Sequence, residues 1–312
     1  MALSRKDMNY AVSHDPKGFV EECDAAFARK IDAAAQKIAQ NRTQSRIVLL
    51  AGPSGSGKTT TAMKIQRRLE ELGIRSHTIS MDNYFRTMDA ETAPRNRRGE
   101  TDFESPFCLD MALLNRHFAL LEKGETVPVP RFDFAHQRRS DELRQLLTLG
   151  KDELAIFEGI HALNDYIVGR NLQAMKLYIS TRSHTVDERG GRIFSAEWLR
   201  LARRMVRDYN YRGSDAAFTW KLWAGVRRGE KLYIAPYREN ADVLFDTAIP
   251  YEISILKNFV PPLLAAIPQE TEGYAEIAAL QEAYNDFLPL DASYLSPDAL
   301  LREFIGGGNF EY

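Results

Sequence analysis

Short apolar runs recur along the chain, and several are separated by stretches with helical spacing of apolar and polar residues. RIVLLA at 46–51, SHTIS at 76–80, LAIFEG at 154–159, KLYIS at 176–180 and DVLFDTA at 242–248 have strand length and β-rich composition. With helices between them, such runs predict a doubly wound α/β fold whose parallel sheet is covered on both faces. Residues 18–41 are rich in Ala, Lys, Glu and Gln, with Phe19, Ala26, Ile31, Ala34 and Ile38 near helical spacing, which predicts a leading helix. After about residue 250 the pattern gives a helix to Ile267, another over 272–287, and a glycine-rich REFIGGGNFEY whose last residues read as a flexible end. The expected organisation is a helical extension at 1–41, an α/β domain at 42–250 and a second helical extension at 251–312. Two segments stand apart: polar, turn-rich 82–108, and 189–240 with its arginine-dense helix and FTWKLW. Both are expected to cover the carboxyl edge of the sheet, where open α/β sheets bind ligands, with 189–240 as a lid.

Between the first run and the helix-like TAMKIQRRLEELG lies GPSGSGKTT. Gly52, Gly57, Lys58 and Thr59 complete G-x-x-x-x-G-K-[ST], the phosphate loop of P-loop NTPases. Its glycines let backbone N–H groups turn inward around phosphate oxygens, Lys58 supplies a point charge, and the Thr59 hydroxyl can ligate Mg²⁺. Gly52, Ser54, Gly55, Ser56, Gly57, Lys58, Thr59 and Thr60 are therefore the expected ATP-binding residues. The carboxylate needed on the metal side is assigned to Glu158, which ends an apolar run. His161 either faces a substrate or belongs to the core. In SMDNYF, Asp82 ends the strand after the phosphate-loop helix, on the same sheet edge as Lys58, with Tyr84 and Phe85 beside it. It is the expected general base for a hydroxyl that receives a phosphoryl group, or else a helix cap.

Arginines 200, 203, 204 and 207 fall at i, i+3, i+4 and i+7, on one helical face, with Leu199, Ala202 and Val206 on another. Like charges at this spacing cost roughly 0.2–0.5 kcal/mol per pair, and a bound triphosphate would offset that. A solvated face paired with Asp208 and Glu197 is the alternative. Trp220 and Trp223 read as core or interface anchors.

Composition narrows the partners. The 312 residues are 44% hydrophobic, enough for a sizeable core, and a formal charge of −2 leaves no global field for nucleic acid or anionic membrane. Cys23 and Cys108 lack metal-ligand spacing and read as reduced thiols, and no secretory or membrane-spanning run occurs, so a cytoplasmic protein is expected. A homo-oligomer is left open.

GPSGSGKTT, SMDNYF, DFESP, PRFDF, FEGIH and RRMVRD, in this order and at these intervals, resemble the uridine kinase and phosphoribulokinase family of P-loop kinases over about residues 46–250. YAVSHDP, IPYEISILK and LREFIGG extend the likeness to bacterial uridine-kinase-like nucleoside kinases. Many of those carry a threonyl-tRNA-synthetase-related N-terminal module, which this sequence lacks. The resemblance implies transfer from ATP to the 5′-hydroxyl of a nucleoside, with Asp82 as base and Glu104 on the ribose hydroxyls. It further implies Phe132, Asp133 and Phe134 in the sugar and base pocket, and Arg204 and Arg207, with Arg212 nearby, as lid arginines. The pattern departs on the base side: Gln137 stands where the family has a histidine, His136 lies one residue earlier, and Ser214 and Leu222 replace expected polar ribose contacts. A kinase of another hydroxyl metabolite, such as a sugar phosphate or pantothenate-like compound, and an ATP-binding regulatory protein are the alternatives.

Overall fold

The computed structural model describes residues 2–89, 91–133, 136 and 138–310, without the side chains of Ala2 and of 141–143. A short strand, β1 (Ala2–Ser4), precedes helices α1 (Arg5–His14) and α2 (Pro16–Asn41), whose first turns are capped by Ser4 and Asp15. The helix expected over 18–41 is α2. It buries Val20, Cys23, Phe27, Ile31, Ala34, Ala35 and Ile38, a stripe rotated slightly from the expected one, since Phe19 and Ala26 are only half-buried. Strand β2 (Ile47–Ala51) runs through the phosphate loop into α3 (Lys58–Glu71), and β3 (Ser76–Ser80) follows. Beyond α4 (Met111–Glu122) comes an antiparallel hairpin absent from the sequence reading, β4 (Val127–Asp133) and β5 (Arg138–Leu147). Next are β6 (Leu154–Glu158), α5 (Asp165–Val168), β7 (Met175–Ser180), β8 (His184–Val186) and β9 (Arg192–Phe194). Helices α6 (Ala196–Tyr211) and α7 (Ala216–Gly229) lead through a π-helical turn at Glu230–Ile234 towards β10 (Val243–Asp246). The chain continues through α8 (Glu252–Leu256), α9 (Val260–Ala265), α10 (Tyr274–Ala283) and α11 (Arg302–Ile305).

The five apolar runs are the five strands of one parallel sheet, ordered β10-β7-β2-β6-β3. Strand pleating sends alternate residues to opposite faces, so a strand covered on both sides has no polar positions. In β2, Val48 and Leu50 join one core with α2, α3, α6 and the helices after residue 250, while Ile47, Leu49 and Ala51 join the other with α4 and the hairpin. Burying a side chain of this size contributes about 1.5–3 kcal/mol. The fold is thus the doubly wound α/β architecture expected, with helical segments before and after it. A small second sheet has the order β1-β8-β9.

The single helix expected to reach Ile267 is two, α8 and α9. Pro261 and Pro262 are tolerated only where a helix begins, so a new helix starts at Val260. The end expected to be flexible follows a segment anchored up to Phe304 and is tied back through Asn309, while Gly307, Gly308 and Asn309 are themselves exposed. Leu295, Ala299, Leu300, Leu301 and Phe304 are buried in the main core, and Asn309 bonds back to Pro297 and Asp298. Cys23 and Cys108 are buried free thiols. Among the described residues no helix is long and apolar enough to cross a membrane.

Candidate active site

The loop between β2 and α3 closes because three glycines occupy positions that no side chain fits. Gly55 and Gly57 have φ of +73° and +78°, and a Cβ on Gly52 would strike the Ile179 carbonyl on β7. Thr247 donates to the Ser56 carbonyl at 2.6 Å, and Arg203 to that of Gly55 at 3.2 Å, so the loop is held from the side of β10 and α6. The Ser56 hydroxyl is buried and has no partner among the described residues. Lys58 Nζ donates to Pro53 O at 3.2 Å. Burial pulls the Lys58 pKa down, while Glu158 and Asp82 oppose that pull.

Parallel pairing in register brings the carboxylates to the same edge. Glu158 at the end of β6 lies opposite Ser80 on β3 and Leu50 on β2. It is buried, and burial, with Asp82 adding to it, pushes its pKa up to about 7 against Lys58. Asp82 is the second residue of the 3₁₀ turn Met81–Tyr84, whose cap is Ser80, its hydroxyl accepting from the Asp82 N–H. The Asp82 side chain is therefore not used as the cap. Burial raises its pKa, and Lys58, Arg212 and Arg207 pull the other way. Among the described residues no group of three or more His, Cys, Asp or Glu is placed to hold a metal by itself.

Tyr84, expected on the acceptor side, is fully buried and its hydroxyl bonds to His117 Nδ1 at 3.0 Å. It belongs to the core, because the 3₁₀ turn points it down between Phe157 and α4. Phe85 instead packs edge-on against Phe132, centroids 5.7 Å apart. The Asp133 carboxylate is held by His136, at 3.1 Å from its N–H and 2.7 Å from Nδ1. Phe134 and Gln137 lie outside the described residues.

Glu104 sits against Gly229, where a Cβ would collide with the Glu104 side chain. Burial pushes its pKa up to about 7, opposed by Arg204 and Arg228 and helped by Asp102. Asp102 itself is buried; Arg228 grips it at 2.6 and 3.2 Å and Tyr233 donates to it at 2.8 Å. Burial alone would raise Asp102, but these bonds together outweigh it and hold the group below its ordinary value. The π-helical turn after α7 carries Tyr233 to this position. His161 is buried 6.5 Å from the Tyr233 ring, and burial lowers its pKa to about 4.

The arginine stripe of α6 is divided. Arg203 is buried and pairs with Glu252 at 2.6 Å, and Arg200 pairs with Glu230 at the same distance. Both also reach the phosphate loop, Arg200 donating to the Ser54 carbonyl at 3.3 Å and Arg203 to that of Gly55 at 3.2 Å, so they tie the pairs on the flank of α6 to the loop. Arg204 donates to the Ser54 hydroxyl at 2.9 Å. Arg204, Arg207 and Arg212 converge on Asp208, at 3.1, 2.7 and 3.6 Å. Of the two carboxylates in the alternative reading of a paired, solvated face, Asp208 meets the stripe whereas Glu197 pairs with Arg227. Trp220 and Trp223 are buried anchors, as expected.

A phosphate loop, two carboxylates at the same edge of the sheet and an arginine cluster beside the loop are thus brought together. A family model described as the phosphoribulokinase / uridine kinase family matches residues 47–253. The chain belongs to this family. The chain is 30% identical over 203 residues to a uridine kinase of Macrococcus caseolyticus (strain JCSC5402), covering 65% of this chain and 88% of that protein. It is 30% identical over 200 residues to a uridine kinase of Staphylococcus aureus (strain JH9), covering 64% and 86%. A solved structure of a possible uridine kinase from Bacillus stearothermophilus is similar at TM-score 0.46 and 18% identity, covering 70% of this chain and 98% of that one.

The sequence alone did not single out Asp102, Arg228 and Tyr233, which fix the loop bearing Glu104, or Glu303, which reaches the phosphate-loop helix from α11. Asp102 lies within DFESP and was the one member with a local signal; the others come from distant segments.

Proposed function

We propose that the protein transfers the γ-phosphoryl group of ATP to the 5′-hydroxyl of a nucleoside, giving a nucleoside 5′-monophosphate. The observation that carries this reading is Asp82: its side chain is not the cap of its own turn, and its electrostatic neighbours are Lys58, Arg207 and Arg212. A carboxylate in that setting can orient a hydroxyl and take its proton as the oxygen attacks phosphorus, while Lys58 and the arginines balance the charge on the transferring group. The glycine cradle, closed to any Cβ at Gly52, fits phosphate oxygens. Thr59 and Glu158 would hold Mg²⁺ together with the phosphates, in keeping with the few protein ligands this ion needs, and the ion would neutralise phosphate charge. Arg204 and Arg207 would act from the lid, with Arg212 at its margin. Glu104, fixed through Asp102, would accept hydrogen bonds from the ribose, and Phe132 with Asp133 would border the base.

The nucleoside is supported by the two relatives named uridine kinase. The test is ADP formation from Mg·ATP across nucleosides, sugar phosphates and pantothenate, with product mass determined. A nucleoside 5′-monophosphate is the expected product. Phosphorylation of only a sugar phosphate or pantothenate would replace the acceptor, and no transfer despite nucleotide binding would favour a regulatory protein.

A further inference from the structure

The phosphate-binding end of α3 already carries an anion belonging to the protein. Glu303 on α11 accepts hydrogen bonds from the backbone N–H of Thr60, at 3.3 Å, and from the Thr60 hydroxyl. Thr60 is fully buried and Glu303 nearly so. Leu300 packs onto the phosphate loop itself, its Cδ1 2.9 Å from where a Cβ on Gly57 would stand. The segment is fastened on both sides. Asp298 pairs with Arg67 of α3 at 2.8 Å, Asn210 of α6 donates to the Phe304 carbonyl at 3.2 Å, and the Arg203 guanidinium lies 5.5 Å from the Phe304 ring.

The first N–H groups of a helix have no partner within it, and the helix dipole favours an anion beside them. A carboxylate is a sound occupant. These are also the donors that a phosphate loop offers to the phosphates of a nucleotide. Glu303 acts on the same charges that a nucleotide would meet, favouring ionised Lys58 and disfavouring ionised Glu158.

We propose that Glu303 is a tethered stand-in for a phosphate: it holds the first turn of α3 in the nucleotide-free protein and leaves Thr60 when nucleotide binds. This rests on the nucleotide-binding reading above. Nucleotide affinity is then set partly by a residue far from the phosphate loop in sequence, and the tail is an affinity-determining element rather than inert packing.

Calorimetric titration of Mg·ATP into the native protein and Glu303→Gln tests this directly. The variant keeps an acceptor for Thr60 but loses the charge, so it should bind about tenfold more tightly, the factor for weakening one charge-assisted bond. Hydrogen exchange in native protein supplies a second reading: amides of 298–306 should exchange faster with Mg·ATP bound. Equal or weaker binding by Glu303→Gln, or slower exchange of that segment on nucleotide binding, would overturn the proposal. If the native protein binds and the variant binds no better, the nucleotide reading stands and the role of Glu303 falls. If neither binds, both fall. Should Glu303→Gln fail to fold, the exchange measurement decides.

Discussion

Replacing Glu252 by glutamine removes one negative charge from the interior while keeping the shape of the side chain. Arg203 and Glu252 are both fully buried, with Arg203 Nη2 2.6 and 2.8 Å from the two carboxylate oxygens. The same guanidinium holds Gly55 O at 3.2 Å and Thr247 O at 2.8 Å, so it cannot swing out to water without releasing the phosphate loop. The substitution strands a positive charge at zero exposure. Removing one partner of a buried pair costs about 3–5 kcal/mol, and since glutamine retains one acceptor oxygen the lower end, about 3 kcal/mol, is expected. With each kcal/mol worth roughly 1.5 °C in a protein of this size, the thermal unfolding midpoint should fall by roughly 5 °C. Calorimetric scans measure this, with Lys17→Met as comparison. Lys17 meets Glu21 at 3.7 Å on an exposed helix face, and its loss should cost no more than about 1 kcal/mol. A Glu252→Gln midpoint within about 2 °C of native would refute the reasoning, because the pair would then contribute no more than a surface contact.

Lys58→Ala should abolish useful phosphoryl transfer in a protein that still folds, and native turnover in that variant would remove the phosphate-loop assignment. Asp82→Asn should lower kcat by roughly 10²–10⁴ with ATP affinity nearly intact; steady-state kinetics with a nucleotide titration separates the two, and a normal kcat would shift the base to Glu104. Glu104, pushed up to about 7 by burial, is mostly protonated below that pH and becomes a full acceptor above it. The acceptor KM should therefore fall as pH rises through about 7, and Glu104→Gln should flatten the profile; a flat native profile would separate Glu104 from acceptor binding.

The sheet was legible through its central strands: β2 and β6 are buried at every position, and a run such as IVLLA has no other stable home. The phosphate loop was legible because its chemistry is local: two glycines, a lysine and a threonine at fixed spacing within eight residues. The hairpin escaped because VPVPRFD carries two prolines and RRSDELRQLL is mostly polar, with Leu146 exposed, so neither strand has the apolar signature of a covered one. The arginines show a different limit. Helical spacing gave their common face correctly, but their roles depended on partners 30 and 49 residues away, which divided Arg200 and Arg203 from Arg204 and Arg207. Tyr84 stood beside Asp82 in sequence and on the opposite side of the turn in space. Nothing in the glycine-rich LREFIGGG announced that its glutamate caps a helix 243 residues earlier.

That last separation also bears on how the molecule is made. At a synthesis rate of roughly 5–20 residues per second, 243 residues take roughly 12–50 s to emerge. Throughout that interval the β2–α3 unit exists without Leu300 and Glu303 to cover its loop, as a partly formed nascent chain. Contacts this distant in sequence slow folding, and their final docking comes late by construction. A ribosome-bound chain that has passed β10 but not α11 would present an open phosphate loop, one that free nucleotide can occupy before the protein's own carboxylate arrives.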